Sequence, residues 1–259
     1  MHRYLVEVMH HPPAKYDVRL ANPDEVFHDD GTAAGRARSR SVALDLLMRC
    51  RCHLPACYAR GPMTPTTRVP EAEVAPEFVA RWSPRAFRPD PLTPEQTASL
   101  FEAMRWAPSC FNEQPWRVVY GAAGEPEHAR ITDILILSNQ VWAARAPLLL
   151  ILFARRHFTH NNKPNRTAAF DVGAAWMSLA LQAGRLGLHA HAMAGFDLAR
   201  AYTELGVDPE THEAIAAVAV GHRGEPDAIP QPLRAREVPS GRNPRASFVF
   251  HGRFPAPAP

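Results

Sequence analysis

The sequence Ala-Pro-Ser-Cys-Phe-Asn-Glu-Gln-Pro-Trp occupies residues 107–116, between a predicted helix and a predicted strand. The helix begins with Thr93 as its N-cap and Gln96 three residues later, the spacing of a capping box, and Pro108 ends it. Residues 117–120, Arg-Val-Val-Tyr, predict the strand. Short polar side chains are dense between the two elements, and binding residues are commonly carried by loops on a rigid scaffold. The stretch is therefore interpreted as a binding loop.

Downstream of this loop the sequence alternates predicted helices and strands. A nearly pure aliphatic run at 147–154 is typical of a central strand that is buried on both faces. Residues 170–186 carry apolar residues at spacings of four, three and four, and Gly187 stands at the expected C-terminal cap of that helix. The other predicted elements are helices at 76–82, 131–144 and 198–205, the last capped by Asp197, and strands at 191–195 and 214–221.

Upstream of the loop, the heptad Arg-Trp-Ser-Pro-Arg-Ala-Phe at residues 81–87 brings two guanidiniums and a hydroxyl within five residues. Arginine offers paired planar donors that match a phosphate group. Arg81, Ser83 and Arg85 are therefore a candidate phosphate clamp, and the alternative is a solvated basic turn. Further arginines that could complete an anion site lie in the C-terminal tail, namely Arg234, Arg236, Arg242 and Arg245.

Residues 155–166 form a long polar and irregular segment between predicted elements. A loop of this length inside one domain is often a lid or a binding loop. His157 and His160 are its candidate ligand contacts, and the alternative is that they belong to plain surface.

Composition and motifs narrow the class of protein. Nine Lys/Arg and seven Asp/Glu lie in residues 1–62, against 20 and 19 in residues 63–259, so the larger part has no basic excess that would indicate nucleic-acid binding. No apolar run reaches the roughly 20 residues of a membrane span, and no secretory signal is evident, so we expect a cytoplasmic protein. The sequence lacks the glycine-rich Rossmann motif, the P-loop, the GxSxG elbow and HExxH.

Residues 1–62 show no sustained hydrophobic period. We interpret them as a disordered extension, or as upstream sequence joined to a chain whose translation starts at Met63. The domain proper is then 63–259. A patch from Cys50 to Cys57 with spacing C-x-C-H-x3-C matches no common zinc motif and lacks a second ligand pair, so no metal site is predicted.

Four blocks, in this order along the chain, resemble the signatures of the nitroreductase family of FMN-dependent oxidoreductases. They are Arg81–Phe87, Ala107–Trp116, Asp171–Ala175 and Gly195–Asp197. The resemblance extends over roughly residues 76–254. One departure is Trp82, where many family members carry a second arginine.

The resemblance implies an α+β fold with a central, mainly antiparallel sheet flanked by helices. It also implies an intertwined homodimer with two FMN sites at the subunit interface. Either NADPH or NADH is the implied co-substrate, and a small-molecule electron acceptor is the second substrate.

Site residues are carried over from the family by position. Arg81, Ser83 and Arg85 are implied to hold the FMN phosphate and ribityl end, and Arg242 joins them. The other implied contacts are Pro108, Ser109 and Asn112 of the second subunit along the isoalloxazine, the amide side chains of Asn112 and Gln114 at the ring edge, and the backbone of Ala194 and Gly195 near flavin N5.

The implied function is hydride transfer from NAD(P)H through flavin N5 to a nitroaromatic, quinone or similar acceptor in a ping-pong reaction. No side chain is assigned a catalytic role, since the flavin supplies the chemistry. Cys110 is a candidate redox nucleophile, with inert packing as the alternative. Two other functions are compatible with the same residues: a flavin-binding protein for sequestration or sensing, and a flavin enzyme with a non-reductive role.

Overall fold

The structure is a computed structural model that describes residues 68–255. The interpretation of residues 1–62, the start at Met63 and the Cys50–Cys57 patch lie outside the described residues. The helices are α1 (Pro76–Ala80), α2 (Pro94–Arg105), α3 (Pro126–Ile134), α4 (Leu137–Ala143), α5 (Ala168–Arg185), α6 (Leu198–Leu205) and α7 (Gln231–Arg234). The strands are β1 (Trp116–Ala122), β2 (Leu148–Arg155), β3 (His189–Met193) and β4 (His212–Gly221).

The four strands form one sheet in the order β1-β2-β4-β3, and all three neighbouring pairs are antiparallel. The strand β2 is central and is buried along almost its whole length. Strands β1 and β3 lie at the two edges of the sheet. The expected antiparallel sheet is confirmed.

Helices cover both faces of the sheet, which explains why β2 is aliphatic without alternation. Leu149, Ile151 and Phe153 point into one core, which also contains Trp142 of α4. Leu148, Leu150 and Leu152 point into a second core, which is built largely against α5. The α+β class with a flanked sheet is therefore confirmed.

The predicted helix boundaries rest on caps that the structure contains. Thr93 and Gln96 form the reciprocal capping box, with Oγ1 of Thr93 accepting from the Gln96 N–H at 3.1 Å and Oε1 of Gln96 accepting from the Thr93 N–H at 2.9 Å. Gly187, just after α5, has a φ of 71°, which glycine tolerates without a Cβ clash. Both positions agree with the sequence prediction.

The helix predicted over residues 131–144 is wrong, because the structure has two helices there. Leu135 and Ile136 between them have extended backbone angles. Leu135 forms a β-bridge with Phe196, and the Ile136 N–H donates to the Gly195 carbonyl at 3.2 Å. Pairing with a distant segment thus overrides the local helical pattern. The sequence predicted that this strand ends at Gly195. The same pairing explains why β3 ends earlier, at Met193.

Candidate functional site

A group of arginines lies beside the edge strand β3. Nη1 and Nη2 of Arg68 donate to the Arg81 carbonyl at 3.1 and 3.2 Å. Burial lowers the pKa of the Arg81 guanidinium, and the positive charges of Arg242 and Arg68 lower it further. These three guanidiniums are therefore close enough to repel one another.

A second pair of arginines extends this group. Burial lowers the pKa of Arg85, and the charge of Arg236 adds to the effect, whereas the carboxylate of Glu237 opposes it. The guanidinium of Arg85 lies 5.9 Å from the ring centroid of Trp142. Five arginines thus surround one region, which we call the arginine cluster: Arg68, Arg81, Arg85, Arg236 and Arg242.

The arginine cluster has little negative charge to balance it. Across residues 68–255, none of its five guanidiniums forms a salt bridge. The carboxylate of Glu237 contributes charge at Arg85, but Glu237 is 3% exposed and its oxygens accept hydrogen bonds from the backbone N–H groups of Arg85 and Ala86. Such a concentration of unpaired cations is suited to binding an anion with several oxygens.

His191 on β3 is held neutral beside the arginine cluster. Its Nδ1 lies 2.8 Å from the Pro84 carbonyl oxygen, so we assign the ring proton to Nδ1. Burial lowers the pKa of His191 to about 4, and the charges of Arg85, Arg81 and Arg236 contribute, against the hydrogen bond to Pro84. The pKa of His191 is thus a second indication that these arginines converge.

The structure brings together the clamp residues that the sequence predicted. Nη1 of Arg81 donates to Oγ of Ser83 at 3.2 Å, and Arg242 reaches Arg81 from the C-terminal tail. Sequence reasoning missed Arg68, which lies 13 residues before Arg81 in no recognisable motif. It also missed the anchoring role of Glu237. Arg236 was only one of several candidate tail arginines.

The loop at 107–116 is held in an unusual backbone conformation. Phe111, Asn112 and Gln114 have φ values of 53°, 53° and 47°, in the left-handed region that L residues rarely adopt. Oγ of Ser109 accepts from the Gln114 N–H at 3.0 Å, and Nε2 of Gln114 donates to the Asn112 carbonyl at 3.1 Å. The loop is therefore pre-shaped by its own polar groups. Pro108 and Asn112 are exposed on it.

The loop is also fastened to α5. The backbone N–H of Cys110 donates to Oδ2 of Asp171 at 3.2 Å, and Asp171 is 3% exposed in the first turn of the helix. Two of the sequence blocks, separated by about 60 residues, are thus in direct contact. Cys110 is a free cysteine of intermediate exposure, and its chemical role stays untested.

Gly195 is in close contact with its own chain. A Cβ on this residue would lie 2.6 Å from Nδ2 of Asn139 and 2.6 Å from Cδ1 of Ile136. The Gly195 carbonyl accepts hydrogen bonds from Nδ2 of Asn139 at 2.9 Å and from the Ile136 N–H. The side chains of Asn139 on α4 and of Ile136 just before it therefore leave little room for a side chain at Gly195. Ala194 is exposed beside it.

The two halves of the predicted site lie at opposite edges of the sheet. The arginine cluster packs against His191 of β3, whereas the loop at 107–116 leads into β1. Two strands separate these edges, so at roughly 4.8 Å per strand they are about 14 Å apart. Within one copy of the chain the two groups of predicted residues are therefore not in direct contact with each other.

Other classes of site have little support among the residues described. Residues 68–255 contain no group of three or more His, Cys, Asp and Glu side chains that could hold a metal. None of the helices within the same residues is long and apolar enough to cross a membrane.

Comparison with known proteins identifies relatives of this chain. The model of the nitroreductase family matches residues 79–141 and 122–222. A solved structure described as an oxidoreductase containing FMN is 41% identical, covers 74% of this chain and 99% of its own, and superposes with a TM-score of 0.70.

Two further relatives are more distant. A protein of Streptomyces coelicolor, provisionally named NADH dehydrogenase/NAD(P)H nitroreductase, is 28% identical over 187 residues, which is 64% of this chain and 90% of that protein. A structure from Desulfovibrio desulfuricans, solved with FMN, is 24% identical, covers 70% of this chain and 96% of its own, and has a TM-score of 0.54. The latter likeness supports the fold alone.

Proposed function

We propose that the chain, which belongs to the nitroreductase family, is an FMN-dependent NAD(P)H oxidoreductase. Its second substrate is proposed to be a small conjugated acceptor. Nitroaromatics and quinones are the proposed acceptors, and the proposed reaction is ping-pong. The cytoplasmic location stays a prediction.

The observation that carries this proposal is the arginine cluster, whose residues fit the phosphate of FMN. The phosphate is a multiply charged anion with several acceptor oxygens, and guanidiniums recognise such oxygens in pairs. Arg81, Arg85 and Arg242 supply that charge, and the Ser83 hydroxyl lies within the same group. Glu237 already uses its carboxylate on backbone N–H groups and leaves the guanidiniums available.

FMN, when bound, supplies a two-electron centre that takes a hydride from NAD(P)H and passes it to the acceptor. The residues of the chain are proposed to bind FMN and to orient its ring. The arginine cluster anchors the phosphate, and the amide side chains of Asn112 and Gln114 are proposed to bond the ring edge. His191 is not assigned a role as proton donor, because its pKa is too low for it to carry a proton at neutral pH.

The site is proposed to be completed by a second copy of the chain. The loop at 107–116 and the arginine cluster lie at opposite edges of the sheet, and the loop exposes Pro108 and Asn112. Large apolar side chains near the loop are also exposed, among them Trp106 at 74% and Phe170 at 79%. A homodimer in which each loop meets the partner's cluster would cover these surfaces.

Steady-state oxidation of NADPH and NADH by the FMN-loaded protein, with menadione or nitrobenzene derivatives as acceptor, tests the proposal. We expect turnover that depends on both FMN and acceptor, with parallel double-reciprocal plots. A protein that binds FMN but turns over negligibly would instead favour sequestration or sensing. A protein that retains no flavin absorbance once free FMN has been removed by desalting contradicts the proposal altogether.

A further inference from the structure

Glu113 is a buried acid in the middle of the left-handed loop. Its side chain is 3% exposed, and it is flanked by Asn112 and Gln114, both with positive φ. Its carboxylate forms an ion pair with Nη2 of Arg155, at the end of β2. The only acid within 107–116 is therefore turned inward, away from solvent.

The same carboxylate binds the segment that follows β2. Oε1 accepts from the backbone N–H of Thr159 at 2.8 Å, Oε2 accepts from the Thr159 hydroxyl at 3.1 Å, and Nδ1 of His160 lies 3.7 Å away. Burial alone would raise the pKa of Glu113. The Thr159 hydrogen bonds and the charges of Arg155 and His160 outweigh burial and lower it, so the side chain is a carboxylate.

The segment bound by Glu113 is folded on itself. His157 and Pro164 form a β-bridge, the Phe158 N–H donates to the Lys163 carbonyl at 2.9 Å, and the Asn162 N–H donates to the Phe158 carbonyl at 3.0 Å. Residues 157–164 thus make a compact turn. Glu113 connects this turn to the loop at 107–116.

Three aromatic side chains, from the loop at 107–116 and from the turn at 157–164, contact one another. The ring centroids of Phe111 and Phe158 are 5.8 Å apart at 81°, those of Phe111 and His160 are 5.6 Å apart, and those of Phe158 and His160 are 5.3 Å apart. Phe111 is nevertheless 79% exposed. An exposed cluster of rings, built on a strained loop and tied down by a buried acid, offers planar surfaces to a ligand. We call it the aromatic wall.

We propose that the aromatic wall selects planar aromatic acceptors and that Glu113 is the positioning residue that holds it together. The inference rests on the proposed function, since Phe111 lies between Ser109 and Asn112 and accompanies them to the partner's cofactor site. Aromatic rings favour planar partners, which stack or meet them edge to face. Without Glu113, Phe111 and the turn at 157–164 would no longer be fixed to each other.

The first test measures binding without turnover. The FMN-loaded protein is titrated calorimetrically with 2-naphthoate, which is planar, and with decahydronaphthalene-2-carboxylate, which has the same carbon skeleton and charge but no planar ring. We expect the wild type to prefer the naphthoate. Phe111→Leu and Phe158→Leu should each reduce that preference by roughly two- to tenfold, the range of one aromatic contact. Phe254→Leu, at an 84% exposed residue outside the wall, is the control and should leave it unchanged.

The second test separates positioning by Glu113 from general stability. Glu113→Gln keeps the shape but removes the charge that pairs with Arg155, and Glu113→Ala removes every contact. We expect the preference to fall in the order wild type, Gln, Ala. KM for menadione should rise while KM for NAD(P)H and FMN content stay near wild type. Glu204→Gln, which removes an ion pair to Arg200 on α6, is the matched control.

Each outcome decides the inference. Equal weakening of both carboxylate probes in the Glu113 or Phe111 variants, or no weakening, overturns it while the proposed function stands. Because Phe111 is exposed, Phe111→Leu is not expected to prevent folding and keeps the test valid if Glu113→Ala does not fold. A wild type that binds no FMN overturns the proposed function, and the inference falls with it.

Discussion

Glu237 holds the backbone of Arg85: the Arg85 N–H donates to Oε1 at 3.0 Å and to Oε2 at 2.9 Å of a carboxylate that is 3% exposed. The acid belongs to the C-terminal tail, and the arginine belongs to the heptad at 81–87. Glu237 also accepts from the Ala86 N–H at 2.9 Å. The tail therefore fixes the position of the clamp through its backbone and leaves the guanidiniums available to an anion.

Replacing Glu237 by Ala is expected to destabilise the protein and to weaken FMN binding together. The change leaves two N–H groups of the heptad without an acceptor, which costs about 2–4 kcal/mol of unfolding free energy. Urea denaturation and FMN fluorescence titration measure the two effects. Glu225→Ala removes an exposed acid of the same tail and should change neither. Tight FMN binding in a folded Glu237→Ala protein would contradict the anchoring role.

We expect that replacing one arginine of the arginine cluster will strongly lower the affinity for FMN. Arg81→Ala or Arg242→Ala should raise the Kd for FMN by roughly 10- to 100-fold, because each removes charge-assisted hydrogen bonds. The loss should be greater for FMN than for riboflavin, which lacks the phosphate. Arg130→Ala removes an exposed arginine on α3 and serves as control. Equal losses for the two flavins would place the phosphate elsewhere.

The low pKa of His191 predicts that the free energy of unfolding falls in mild acid. The folded protein keeps His191 neutral down to a pKa of about 4, whereas the unfolded chain takes up this proton near pH 6.5. Between these two values the unfolded state binds more protons, so the unfolding free energy decreases as the pH falls. This one group contributes at most roughly 3 kcal/mol over that window.

Urea denaturation at several pH values between 4 and 7 measures this dependence. His191→Asn should flatten it, and His251→Asn, at an exposed residue of the tail, should not. Saturating FMN should also weaken the dependence, since its phosphate offsets the arginine charges that help to lower the pKa of His191. An unchanged slope in His191→Asn would contradict the assigned cause.

Much of the fold was accessible from local sequence patterns. The Thr93 capping box, the aliphatic run of β2 and Gly187 are decided by residues within a few positions of each other, and the structure contains all three. The candidate clamp was also recognisable, because Arg81 and Arg85 lie in one short motif. Whether these residues bind FMN stays a prediction.

The remaining features depend on contacts between distant segments. The break at Leu135 follows from its bridge to Phe196, about 60 residues away. Arg68 and Glu237 join the clamp from both sides of the heptad, and neither lies in a motif. Glu113 sits in the most informative stretch of the chain, but its pairing with Arg155 is visible only once β1 and β2 are aligned.

A methyl group added at Gly195 is expected to destabilise the fold, and the same change at Gly184 serves as the control. A methyl group at Gly195 would overlap Asn139 and Ile136 at 2.6 Å, so Gly195→Ala should lower the unfolding free energy by about 1–3 kcal/mol. Gly184→Ala, in the last turn of α5 with open space around it, should instead raise it by roughly 0.5–1 kcal/mol. Denaturation curves compare the two. A neutral Gly195→Ala would mean that the side chains of Asn139 and Ile136 move aside easily.

The opposite-edge arrangement predicts that two variants, each impaired at limiting FMN, can restore each other in a mixed dimer. Arg81→Ala damages the arginine cluster, and Asn112→Ala damages the loop at 107–116. If each site takes its cluster from one subunit and its loop from the other, a mixed dimer contains one site with both defects and one site with none. Homodimers of either variant contain no intact site.

Co-expression of the two variants with different affinity tags allows the mixed dimer to be purified and its FMN content and turnover measured. We expect about half of the wild-type turnover per dimer for the purified mixed species, and about a quarter for an unfractionated equal mixture, since random pairing makes half of the dimers mixed. A pair of exposed substitutions, Arg130→Ala with Glu225→Ala, controls for the tags and should retain full activity. If cluster and loop served the same site within one subunit, every site of the mixed dimer would carry a defect, and no activity would return. That result would contradict the shared site even if size-exclusion chromatography showed a dimer.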